Sequence, residues 1–201
     1  MRVSAAPATL PLRVPWTTVV GAALVAGLFT FWTLAFPASA DSTLTLRLVQ
    51  LALAASAAYL LDDASAALTT ISPRSWWRRR AFPLTIGLVA LAVAWCVVLI
   101  NLRHLPDATL RPLTIEVTVL VLVALAASAV LAMHGEPEPG DQVAVALPLT
   151  GVAAVLVGSM LGFDIFVSSH GSGEGEKVTA WVLSGVLALL VLVVAGRDRP
   201  T

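Results

Sequence analysis

Charge is what this sequence has least of. Twelve basic and twelve acidic residues in 201 make 12%, about half the roughly 25% of an ordinary soluble domain. Hydrophobic residues reach 58% and mean hydropathy is +0.91, which points away from a water-soluble fold. Cysteine is nearly absent too. Cys96 stands alone inside an apolar run, so neither an intrachain disulfide nor a thiolate metal cluster is available, and it reads as a small buried hydrophobe. The net charge is zero, so no overall field draws the chain to nucleic acid.

Catalytic residues are equally scarce. His104, His134 and His170 fall in three separate polar stretches on both sides of the expected membrane, so they cannot converge on one metal ion. Ser56, Ser128, Ser159 and Ser184 lie within apolar runs, but no histidine or lysine accompanies them there to act as a base. They read as helix-bonding serines rather than nucleophiles. The nearest approach to a phosphate-binding loop is Gly171–Val178. It places Glu176 at the second glycine and Val178 at the magnesium-binding hydroxyl, which excludes ATP hydrolysis by this chain alone. No carboxylate is expected at mid-membrane depth, and no inverted repeat of three spans is evident. Both absences disfavour a proton-driven secondary transporter. The chain is therefore expected to be neither an enzyme nor a holder of metal or cofactor.

What is present is a series of apolar runs, each near the roughly 20 residues needed to cross about 30 Å of hydrocarbon as a helix. They are 16–36, 44–61, 82–100, 113–133, 143–166 and 178–195. Because lipid satisfies no backbone polar group, such runs must be helical. The expected fold is an all-α integral membrane protein with six transmembrane helices over 16–196, an N-terminal tail over 1–15 and a C-terminal tail over 197–201. The Ala38 and Ala40 pair after the first run imitates a signal-peptidase site, but that run exceeds the 7–15 apolar residues of a signal peptide, so a retained span is expected. Arg47, one turn inside the second run, is expected to snorkel to the headgroups. Glu116, about a turn inside the fourth, is expected to be hydrated or paired with Arg111. Pro148 is expected to kink the fifth run or mark its true start.

The longest polar interruption, Asp62–Arg80 (DDASAALTTISPRSWWRRR), holds four of the twelve basic residues and organises the rest. Asp62 and Asp63 read as an N-cap with negative charge at a helix start. Ala64, Ala67, Leu68 and Ile71 recur at i, i+3, i+4, i+7, the spacing of one helix face. Pro73 ends that short amphipathic helix. Trp76 and Trp77 with Arg78, Arg79 and Arg80 form an interfacial aromatic belt with positive charge. Basic residues divide eight to four in favour of the side holding this elbow and both termini, which places that side in the cytoplasm. Small residues four apart, Ala54/Ala58 and Ala154/Gly158/Gly162, are expected helix-packing faces, and both are candidates for an interface between subunits.

Six spans, cytoplasmic termini and an elbow between spans 2 and 3 resemble the membrane (permease) subunits of ABC-2-type exporters. The run Tyr59–Ala67 (YLLDDASAA), followed by Ser72, Pro73, Arg74 and the arginine run, looks like small actinobacterial membrane proteins associated with ABC transporters. The resemblance implies that 62–71 is a coupling helix docking on a separate soluble ATPase. It implies a second permease subunit or a homodimer as further partner, in the cell membrane. The alternative reading of the same segment is a structural or regulatory membrane protein that binds lipid or a signalling partner through it.

Overall fold

The computed structural model describes residues 16–36, 43–62, 76–103, 107–134, 136, 138–161 and 174–195, and every regular element among them is helical. The elements are α1 (Trp16–Ala35), α2 (Thr43–Ala58) tightened at its end into a 3-10 turn (Tyr59–Leu61), α3 (Trp76–Asn101), α4 (Asp107–Met133), α5 (Pro139–Leu161) and α6 (Glu174–Ala195). Four stretches are long and apolar enough to cross a membrane: Trp16–Ala35, Ala81–Asn101, Leu110–Met133 and Lys177–Ala195. Thr45–Leu61 is a shorter apolar helix. The all-helical character and the fit to a membrane are thus plain.

Several helices begin earlier than their apolar runs. Pro83, Pro112 and Pro148 all lie inside helices rather than at their starts. α5 opens at Pro139 and runs through Pro148, so Pro148 does not mark its beginning. Once an apolar body is helical, each added polar residue gains a backbone hydrogen bond at little further ordering cost, and hydropathy does not register that gain. Trp76, Trp77, Arg78, Arg79 and Arg80 accordingly form the first turn and more of α3; their side chains are not among those described. Asp63, Ala64, Ala67, Leu68 and Ile71 of the expected elbow helix, and Gly162 of the expected ridge, lie outside the described residues.

α2 is the centre of the bundle. It touches α1, α3, α4 and α5, while α1 pairs with α3, and α6 packs along α4. Leu46, Val49, Leu53, Ala54, Ala57, Ala58, Leu60 and Leu61 are all buried, continuous with Ala124, Leu125 and Ala129 of α4 and with Ala94 and Val98 of α3. Ala54 and Ala58 are fully enclosed. They pack helices as expected, but inside the chain's own core, which removes them as an interface with a second subunit. Ala154 is half-buried on α5. By contrast, only 17% of the α6 span is covered by the rest of the bundle, against 44% of the α4 span.

Two glycines set how closely the helices approach. A Cβ on Gly87 of α3 would run into the Leu60 side chain, and one on Gly151 of α5 would stand 2.6 Å from Leu51 Cδ2. A leucine from α2 thus sits in each notch, the close approach that small residues permit between membrane helices. Gly27 of α1, with nothing within 4 Å of its would-be Cβ, is the built-in comparison. Gly87→Val should lower stability by about 1–3 kcal/mol through overpacking, whereas Gly27→Ala should be neutral or slightly stabilising. Thermal unfolding of the purified protein in detergent checks both.

Candidate functional site

Two polar clusters stand out, and both attach to α2, one near each end. Near its N-terminal end, Arg47 and Gln50 are three residues apart and share a face of α2. Opposite them, Leu113 and Glu116 share a face of α4. The Arg47 guanidinium forms an ion pair with Glu116 Oε2, with the two side chains 4% and 0% exposed. Arg47 Nη1 also donates to Gln50 Oε1 at 3.1 Å. Gln50 Nε2 donates to the Leu113 carbonyl at 3.1 Å and to Glu116 Oε2 at 3.2 Å. No buried side-chain nitrogen or oxygen among the described residues lacks a hydrogen-bond partner.

This cluster overturns two expectations. Arg47 does not snorkel, and Glu116 pairs with Arg47 on α2 rather than with Arg111, which is exposed. Glu116 lies nine residues into α4, about 13 Å along the axis at 1.5 Å per residue. An uncompensated charge there would be very unfavourable, so each group needs the other. Its side chains are enclosed and hydrogen-bonded to one another, which makes it a polar clasp between α2 and α4. A sequence signal did exist: Arg47, Gln50, Ala54, Ala57 and Leu61 fall on one helical stripe, the stripe that enters the core.

At its C-terminal end, the last turn of α2 tightens and Asp62 N–H closes on the Tyr59 carbonyl at 3.2 Å. Asp62 is the first residue off the helix, with φ −67° and ψ 127°, so the chain leaves the bundle axis there. Its carboxylate reaches across 78 residues, and Oδ1 accepts a hydrogen bond of 2.6 Å from Gly140 N–H. Gly140 follows Pro139 at the start of α5. Proline has no N–H, so Gly140 carries the first free donor of that helix, and Asp62 caps α5 from another part of the chain. Beside it the Tyr59 phenol is pushed above its ordinary pKa by burial and by the neighbouring Asp141 and Asp62 carboxylates; Asp141 lies in the first turn of α5, where the helix dipole favours an acid. Ser128 of α4 adds a bond of 3.1 Å to the Ala58 carbonyl.

The expected N-cap character of Asp62 is therefore directed at α5 in the described structure. Its relation to the elbow lies beyond the described residues. Sequence spacing could not find this contact, because partners 78 positions apart share no local pattern. Smaller polar ties join α1 to α3: Asn101 Nδ2 donates to Thr30 Oγ1 at 3.2 Å, and Thr33 Oγ1 donates to Asn101 Oδ1 at 3.2 Å. An apolar groove of about 630 Å³ lies between α4, α5 and α6, with Gln142 and Ser184 as its only polar side chains. Among the described residues no three His, Cys, Asp or Glu side chains gather as a metal ion would require.

The Arg47–Glu116 clasp has a measurable signature. Removing one partner by Arg47→Met or Glu116→Leu should destabilise the protein by about 3–5 kcal/mol, because the other charge stays buried. The double substitution should recover most of that loss. Denaturation midpoints in mixed micelles for the four members of the cycle decide it.

Comparison with known proteins finds no matching family model, no similar curated protein and no similar solved structure.

Proposed function

We propose that this chain is a non-enzymatic membrane subunit of an ATP-driven, ABC-type transporter, coupled to a separate soluble ATPase through the 62–72 segment. The observation that carries the reading is the anchoring of that segment's root. Residues 63–75 leave α2 at Asp62 and rejoin the bundle at Trp76 of α3. Asp62 itself is bonded to Gly140 on α5. A lever must have a fixed root if a push on it is to move anything. Here the root is tied to the central helix on one side, to α5 by the carboxylate and to α3 by the chain.

The same reading takes α2 and α5 as the two further spans. Thr45–Leu61 is 17 residues and α5 is 23, both within the range of about 17–25 for a crossing helix. Eight basic residues against four favour a cytoplasmic elbow and cytoplasmic termini, with the cell membrane as the compartment. In this reading substrate passes between this chain and a second permease subunit or a second copy. Ala154, Gly158 and Gly162 on or just beyond α5 remain the candidate surface for that partner, since Ala54 and Ala58 are internal.

Two measurements test the proposal. Chemical crosslinking and co-purification from native membranes should retain a soluble ATPase, and Asp63→Ala with Leu68→Asp should reduce its recovery at least about tenfold, as loss of a few interface hot spots does. Unaltered recovery would refute the coupling. Cys96 is exposed on α3 rather than buried as expected, so it is removed first: with Cys96→Ala as background, a cysteine at Ala66 should react with impermeant maleimide only from the cytoplasmic side. Labelling from outside would invert the topology.

A further inference from the structure

We propose that the groove between α4, α5 and α6 is a binding site for an amphiphile with one alkyl chain and a cationic head. α5 and α6 both pack on α4 and far less on each other, so α4 is the floor of the gap they leave. Ala126, Ala127, Ala146 and Ala188 line that gap, and their small side chains leave its volume of about 630 Å³, within the range of small-molecule sites. A second apolar cavity of about 250 Å³ shares Val130 and Val191 with it and continues to Met133 and Ala195, the last residues of α4 and α6. Val123 to Met133 spans about 15 Å of α4, half of the roughly 30 Å of hydrocarbon in a bilayer. The groove thus has the depth of one leaflet and ends where the helices end.

Its interior asks for an alkyl chain. Ser184 donates to the Ala180 carbonyl of its own helix at 2.9 Å, so its proton is already taken, and Gln142 lies near the start of α5, at the open end. The charge at that end is negative. Residues 134–142 carry Glu136, Glu138 and Asp141 and no Lys or Arg, and all three acids are exposed. Glu136 N–H donates to the Leu131 carbonyl at 3.2 Å, which holds that acid beside a wall residue of the groove. His134 is turned onto the Val130 carbonyl at 2.8 Å. After Ala195 the sequence adds Arg197 and Arg199 against Asp198, and the balance stays negative. α3, which opens with Trp76, Trp77 and three arginines, packs mainly on α1 and α2, away from the groove. A cationic head at this end is attracted and an anionic one repelled. Binding stands on this geometry alone, whereas transport of such a ligand rests on the coupling reading above.

The test is equilibrium dialysis of the full-length protein in phosphatidylcholine nanodiscs against dodecyltrimethylammonium, with empty nanodiscs subtracted to remove simple partitioning. Saturable binding is expected. Dodecanol, with the same chain and no charge, should bind about three- to tenfold more weakly, and dodecyl sulfate more weakly still. Glu136→Gln with Glu138→Gln, both on the surface, should bring the cation's affinity close to that of dodecanol and leave dodecanol unchanged. Val130→Trp or Ala127→Phe, which fill the groove, should weaken binding of the cation and of dodecanol alike, at least about tenfold. The proposal is overturned if the cation shows no saturable binding, or if dodecanol binds as well as the cation, which would mark an ordinary lipid-tail crevice. It is equally overturned if the two glutamine substitutions change nothing or if a folded groove-filling variant binds as before. Should both filling variants fail to fold, the glutamine pair and the comparison of head groups decide it. A coupling failure shows up separately, as no ATPase recovered while the cation still binds.

Discussion

A full positive and a full negative charge are enclosed in a bundle that is otherwise almost entirely Ala, Val and Leu, and the placement of α2 depends on their meeting. Neither Arg47 nor Glu116 could remain ionised at its depth without the other. Gln50 bridges the pair, accepting from Arg47 and donating to Glu116 and to the Leu113 carbonyl. Apolar packing alone discriminates poorly between neighbouring registers when the helices are lined with similar aliphatic side chains. A charge pair with a bridging amide has one good alignment. Slipping α2 by a residue along α4 would turn Arg47 about 100° away from Glu116.

With that register set, the other contacts of α2 fall into place. Leu51 and Leu60 enter the notches at Gly151 and Gly87, Ser56 accepts from Thr18 of α1 at its carbonyl, 2.9 Å away, and Asp62 arrives at Gly140. Polar groups thus bind the central helix at both ends, and small-to-large packing holds it along its length. The segment that follows it is the one with the composition of a contact site.

The helical, membrane-fitting character was legible in the sequence, since runs of about twenty apolar residues permit little else. The helix starts were less so, because residues such as Trp76–Arg80 and Asp107–Leu110 are polar or mixed and hydropathy discounts them. Reading Arg47 and Glu116 as interfacial treated each by its distance from a helix end. Their helical phase, shared with the buried alanines, was the better guide. Asp62 was legible as a capping residue but not as the cap of α5. Local grammar names the role and cannot name a recipient 78 residues away.

Three of the six helices contain a proline, and in α5 it stands ten positions from the start. Pro148 leaves the Ala144 carbonyl without its usual donor, so the rod is interrupted at that point. Gly140, where Asp62 caps the helix, and the residues beyond Pro148 are thus joined through a stretch with one backbone bond fewer than an unbroken helix would have. The cap at the start of α5 and the apolar half beyond the proline are two lengths of helix hinged on a single imino acid.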